Sequence, residues 1–74
     1  MASLAMNPIL ERIALFQFTP THCVQARVML GWSVEQLSRE AEVSVGDIQR
    51  FEAQQEVADA ARLALAYRFE SRGL

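Results

Sequence analysis

The chain has 74 residues, a formal net charge of −2 and a pI near 5.2, with 51% hydrophobic and 22% charged residues. That length makes one small domain, and that hydrophobic content excludes a disordered chain. The acidic balance opposes a protein held to nucleic acid by long-range electrostatics alone.

Pro and Gly are scarce and β-branched runs are absent, so the expected class is all-α. Residues 1–6 read as a loose leader. Asn7-Pro8 is a helix start, with Asn as N-cap and Pro in the first turn. Ile9, Leu10, Ile13 and Phe16 recur at helical spacing, which gives a short amphipathic helix ending near Phe16. It fits either a lid over the core or a dimerisation arm.

Thr19-Pro20 opens the next helix, which runs to about Leu30 and stops at Gly31 as a left-handed C-terminal cap. Cys23, Ala26 and Leu30 form its expected inner face, and His22 belongs to the surface. Ser33 starts a helix that ends near Ala41, with Leu37 and Ala41 pointing inward. Ser44 starts another, with Ile48 and Phe51 inside, and Val43 fills the gap between them. The last helix spans roughly Val57 to Arg72, with Ala61, Ala64, Leu65 and either Arg68 or Phe69 on its apolar stripe and Gly73 as its cap. The chain thus divides into an N-terminal leader and amphipathic helix, 1–18, and a domain, 19–74, making a compact five-helix architecture.

Two of these starts carry further signals. Ser33 is followed three residues later by Gln36, a capping box in which hydroxyl and downstream side chain satisfy helix-start NH groups reciprocally. Ser44 is followed by Asp47, a shorter variant. Eleven residues separate the two serines, room for one two-turn helix and a tight turn. That is the layout of a helix-turn-helix.

Chemistry is sparse elsewhere. The single cysteine, Cys23, excludes an internal disulfide and fits a cytoplasmic location. His22 is the only histidine, so no metal site is expected. No nucleophile–base pair or glycine-rich phosphate loop is present, so we expect no enzyme, no cofactor and no small-molecule substrate. Glu11 and Arg12 interrupt the apolar N-terminus, so neither a signal peptide nor a membrane span is expected. All seven basic residues are arginine. Arginine suits phosphate or guanine by its fork geometry, and also tracks a GC-rich genome.

From Thr19 to Ala53 the chain resembles the repressor/Cro-type helix-turn-helix family, the xenobiotic-response-element-like regulators of bacteria and phage. It is closest to the short versions reading Thr-Pro-x-x-Cys-x-x-Ala-Arg-x-x-Leu-Gly-Trp-Ser. Here those are Thr19, Pro20, Cys23, Ala26, Arg27, Leu30, Gly31, Trp32 and Ser33, continued by Leu37, Ala41, Val43, Ser44, Ile48 and Glu52. The resemblance covers about half the chain. It implies a repressor-like fold and a transcriptional regulator that binds double-stranded DNA as a homodimer, with the helix after Ser44 in the major groove. It also implies a structural ion pair between Arg27 and Glu52, a core role for Cys23 and a Trp32 packed over the turn.

The chain departs from the family pattern at several positions. Val34 stands where Gln usually contacts the DNA backbone, and Val24 where a basic residue is common. Val45 and Gly46 open the second motif helix in place of polar or basic residues, and Glu42 occupies the left-handed turn position that usually holds Gly. The expected DNA-contacting residues are therefore Ser44, Val45, Gly46, Gln49 and Arg50, with Arg39 reaching a phosphate. Arg50 would read a guanine and Val45 a thymine methyl.

A second expectation comes from Val24, Val34 and Val45. If exposed, these valines would make an apolar face for a protein partner, such as another regulator, RNA polymerase or a second copy. Glu35, Glu40, Glu42 and Asp47 lie in or beside the motif and fit that alternative. Related proteins often carry a little more chain beyond Gly73, which leaves open whether a C-terminal segment follows.

Overall fold

The computed structural model describes residues 18–74. They form four helices and no strand: α1 (Pro20–Met29), α2 (Val34–Ala41), α3 (Val45–Glu52) and α4 (Asp59–Ser71). The helix expected over Asn7 to Phe16 lies outside the described residues. Four helices are therefore present among the described residues, and the count of five is not confirmed.

Each helix begins and ends for a local reason. Pro20 sits at the start of α1, where its missing NH costs no hydrogen bond. Thr19 Oγ1 accepts from His22 N at 3.1 Å, and His22 Nδ1 accepts from Thr19 N at 3.3 Å. That reciprocal box was not expected, because the usual box has Glu or Gln at this position. The helix closes on Gly31 at φ 70°, with Gly31 N donating to Val28 O and Trp32 N to Arg27 O. These two bonds make a Schellman closure.

Ser33 Oγ accepts from Gln36 N and Ser44 Oγ from Asp47 N, each at 3.1 Å. Only this half of each expected box forms. The Gln36 side chain instead donates to Glu40 Oε2 at 2.9 Å and accepts from Arg39 at 2.8 Å. Asp47 turns forward to pair with Arg50. Helical neighbours at i+3 and i+4 compete for the side chains that would otherwise reach back to the cap.

α2 ends on Glu42 at φ 58°, ψ 41°, the left-handed conformation expected there. An L-residue with a Cβ holds that conformation at a cost of about 1 kcal/mol. α3 ends in the same way on Gln54 at φ 65°, with Gln55 N donating to Arg50 O at 2.8 Å. α4 starts two residues later than the expected Val57, because Val57 is half-buried against the core and Ala58 forms the cap without a side-chain bond.

The core is Cys23, Leu37, Val43, Ile48, Phe51, Leu65 and Phe69. Every helix contributes, and Val43 plugs the α2–α3 turn. On α4 it is Phe69 that points inward, while Arg68 Nε donates to the Glu40 carbonyl at 2.7 Å. That bond ties α4 to the end of α2. Aromatic stacking extends the core at one end. Phe18 lies 5.5 Å from Phe51 and 5.9 Å from Phe69, and Trp32 lies 6.2 Å from Phe69 with Arg72 over its ring. Phe18 thus packs with the domain, although the expected boundary after residue 18 left it with the leader.

Candidate nucleic-acid interface

The candidate interface is built on α3, and α3 is positioned from inside. Its inner face buries Ile48 completely and Phe51 nearly so. Its last residue, Glu52, is gripped from α1. Arg27 Nε donates to Glu52 Oε2 and Arg27 Nη2 to Glu52 Oε1, both at 3.0 Å. Arg27 Nη1 donates to the Trp32 carbonyl at 3.1 Å, and Cys23 Sγ lies 3.2 Å from Glu52 Oε2 as a thiol donor. The two ionic side chains are only 18% and 12% exposed.

Electrostatics follow from this packing. Burial, then the hydrogen bond and charge of Glu52, push the Cys23 thiol far above its ordinary value, against the opposing pull of Arg27. The thiol is therefore a core donor and not a nucleophile. The bond to Glu52 likewise raises Arg27, over a smaller opposing effect of burial.

The outer face of α3 carries the expected contact residues. Ser44, Gln49 and Arg50 are exposed, and Val45 and Gly46 are half-buried in the first turn. Arg50 is not extended into solvent. Its guanidinium pairs with Asp47 one turn back, with side-chain exposures of 52% and 34%. A Cβ on Gly46 would lie 3.5 Å from Arg50 Nη1, so the guanidinium rests over the glycine. Arg39, on α2, is exposed and held by Gln36. Arg39 and Arg50 stand against Glu35, Glu40, Glu42 and Asp47 on the two helices and their turn.

The apolar face expected from Val24, Val34 and Val45 is corrected. All three are half-buried, and Val34 packs against the core. Among the described residues the large exposed apolar side chains are instead Val28 and Met29 on α1, Tyr67 on α4, and Leu74. Val34, the first residue of α2, packs against the core from that position, which spacing alone does not reveal.

Among the described residues no three His, Cys, Asp or Glu side chains are grouped to hold a metal, and no helix is long and apolar enough to cross a membrane. An open groove of about 260 Å³ lies between the end of α2 and α4, with Glu42, Tyr67 and Arg68 on its walls. Comparison of the chain with protein-family models, curated proteins and solved structures finds no match.

Proposed function

We propose that the chain is a sequence-specific DNA-binding transcriptional regulator of the repressor/Cro type, in which α2, the turn and α3 form a helix-turn-helix. α3 enters the major groove, and a homodimer spans two half-sites. The observation that carries this reading is the division of α3 into two faces. Ile48, Phe51 and Glu52 anchor it to the domain, while Ser44, Gln49 and Arg50 stand on its outer side. A recognition helix needs that combination of rigid seating and an exposed polar ridge.

In this reading Arg50 supplies the base contact with most specificity, since arginine pairs with guanine O6 and N7. Gln49 and Ser44 add hydrogen bonds, and Val45 touches a thymine methyl. Arg39 meets a phosphate and fixes register. With Arg39 the one cation assigned to a phosphate, few counterions are released per protomer, so the salt dependence is shallow and non-specific binding weak.

Fluorescence polarisation against duplexes drawn from a random pool, at about 50 mM salt, tests the proposal. The expected result is enrichment of a two-fold site, with Arg50→Ala weakening binding at least tenfold, about 1.4 kcal/mol. Absence of any enriched duplex under those conditions overturns it. Light scattering on the same sample tests the homodimer.

A second reading, a helix-turn-helix-derived module that binds a protein, draws on Val28 and Met29, which are 65% and 72% exposed on α1. Adjacent exposed apolar side chains are a modest interaction signal. If this reading holds, Val28→Ser with Met29→Ser abolishes capture of the partner and leaves DNA affinity unchanged.

A further inference from the structure

Arg50 is the only cationic residue on α3, and two neighbours determine where its charge sits. Asp47, one turn toward the N-terminus, takes one guanidinium nitrogen as an ion-pair partner. Gly46 offers no side chain, and Arg50 Nη1 lies over the space a Cβ would fill. Together they fold the arginine back along the helix. The guanidinium is thereby carried toward the Ser44 end of α3, the end that meets base edges when such a helix docks.

Asp47 is otherwise a puzzling residue for this face, because its charge repels phosphates. Its amide is already capped by Ser44, so it is not needed as the cap. We infer that Asp47 is a positioning residue that sets the orientation of Arg50 for reading a guanine, with Gly46 providing the seat. This rests on the major-groove reading of α3 proposed above.

The alternative is that Asp47 withholds Arg50 from DNA. The strength of the contact argues against it. An exposed pair at this spacing biases conformers by only about twofold. That is too little to lock the arginine away, and enough to favour one rotamer before binding. Docking of a duplex excludes water and strengthens the pair. An arginine that left Asp47 would then strand an anion among phosphates. Guanidinium has five donors, so one nitrogen can stay on Asp47 while others reach guanine O6 and N7. The carboxylate also sits in the first turn of α3, where the helix dipole favours it.

The test uses the full chain and the duplex it enriches from a random pool. Each position of that duplex is substituted in turn, and the guanine read by Arg50 is the one whose substitution no longer matters in Arg50→Ala. The wild type is expected to prefer that guanine over adenine by at least about tenfold, within the range of a bidentate arginine contact. Asp47→Asn keeps the size and removes the charge. It is expected to bind the adenine duplex more tightly than the wild type does, yet to lose at least about threefold in the guanine preference. Asp47→Glu, still able to reach Arg50, is expected to recover most of that preference. Nitrogen relaxation at Arg50 Nε in the free protein is expected to show a looser side chain in Asp47→Asn, which a merely structural role for Asp47 would not produce.

An unchanged or increased guanine preference in Asp47→Asn overturns the inference while leaving the major-groove reading intact. If the wild type enriches no duplex, or Arg50→Ala keeps the full preference, the major-groove reading fails and this inference fails with it.

Discussion

Among the described residues two arginine–carboxylate pairs involve α3, one at each end. The Arg27–Glu52 pair links residues 25 apart, is largely buried and is bidentate, with Trp32 O and Cys23 Sγ completing the shell. The Asp47–Arg50 pair links residues three apart, is half-exposed and lies within a single helix. Their relation to the helix dipole is also opposite. Asp47 occupies the first turn, where an anion is favoured, whereas Glu52 occupies the last, where it is disfavoured. Glu52 is therefore held against the dipole by Arg27, with the Cys23 thiol as a second donor. The same chemical pair acts as a structural bolt in one setting and as an adjustable surface contact in the other.

The largest effects are expected on the inner side. Glu52→Ala leaves Arg27 as an uncompensated, mostly buried charge and removes the acceptor for Cys23. It is expected to cost about 3–5 kcal/mol, seen as loss of the cooperative transition in a urea titration. Ile48→Ala, at a fully buried position on the same helix, is expected to cost about 2–5 kcal/mol by cavity formation. If Glu52→Ala melts with the wild type, the bolt is not structural and the contrast between the two ends collapses.

The buried end also carries a pH signature. The folded-state thiol of Cys23 lies above its ordinary value of 9.0, so the folded chain keeps a proton that the unfolded chain releases. The stabilisation is fully present below pH 9.0 and is lost as pH rises past it, by up to about 1.4 kcal/mol per pH unit. Urea titrations between pH 8 and 10.5 should show this steeper fall in the wild type and not in Cys23→Ala. A parallel fall in both would assign the loss to other groups.

The turn between the two ends offers a gain. Glu42→Gly relieves a left-handed conformation at φ 58° and is expected to add about 1 kcal/mol. Gln54→Gly, at φ 65°, should behave alike. A loss of stability in either would mean that the side chain contributes more than the strain it imposes.

How much of this was legible varied with the physics. Gly31 and Gly73 announced their left-handed caps because glycine alone adopts positive φ without cost, and both adopt it. Gln54 adopts it too, yet nothing about glutamine signals it. The Ser33 and Ser44 caps were legible, since a hydroxyl three residues before a free amide has one obvious partner. Their reciprocal halves were not, because Gln36 and Asp47 each had rivals at i+3 or i+4. The buried set Cys23, Leu37, Ile48, Phe51 and Leu65 followed from spacing. The Arg27–Glu52 contact did not; it was expected only through the family resemblance, as no local rule joins residues 25 apart. The candidate interface was legible as a set of positions but not as a geometry. That Arg50 folds back onto Asp47, and that Val34 packs against the core, depend on rotamers and packing that a pattern of letters does not carry.

The smallest expected effect on stability is also the sharpest test of the comparison. Arg50→Ala removes an exposed pair at i,i+3, a contact worth less than about 0.5 kcal/mol. In a domain of this size that is a change in Tm of no more than about 4 °C. A thermal melt near the wild-type value, alongside lost duplex binding, would separate folding from reading at the two ends of one helix. A large drop in Tm would instead make Arg50 a second structural bolt. The exposed end of α3 would then be as fixed as the buried one, leaving no adjustable surface there to select a base.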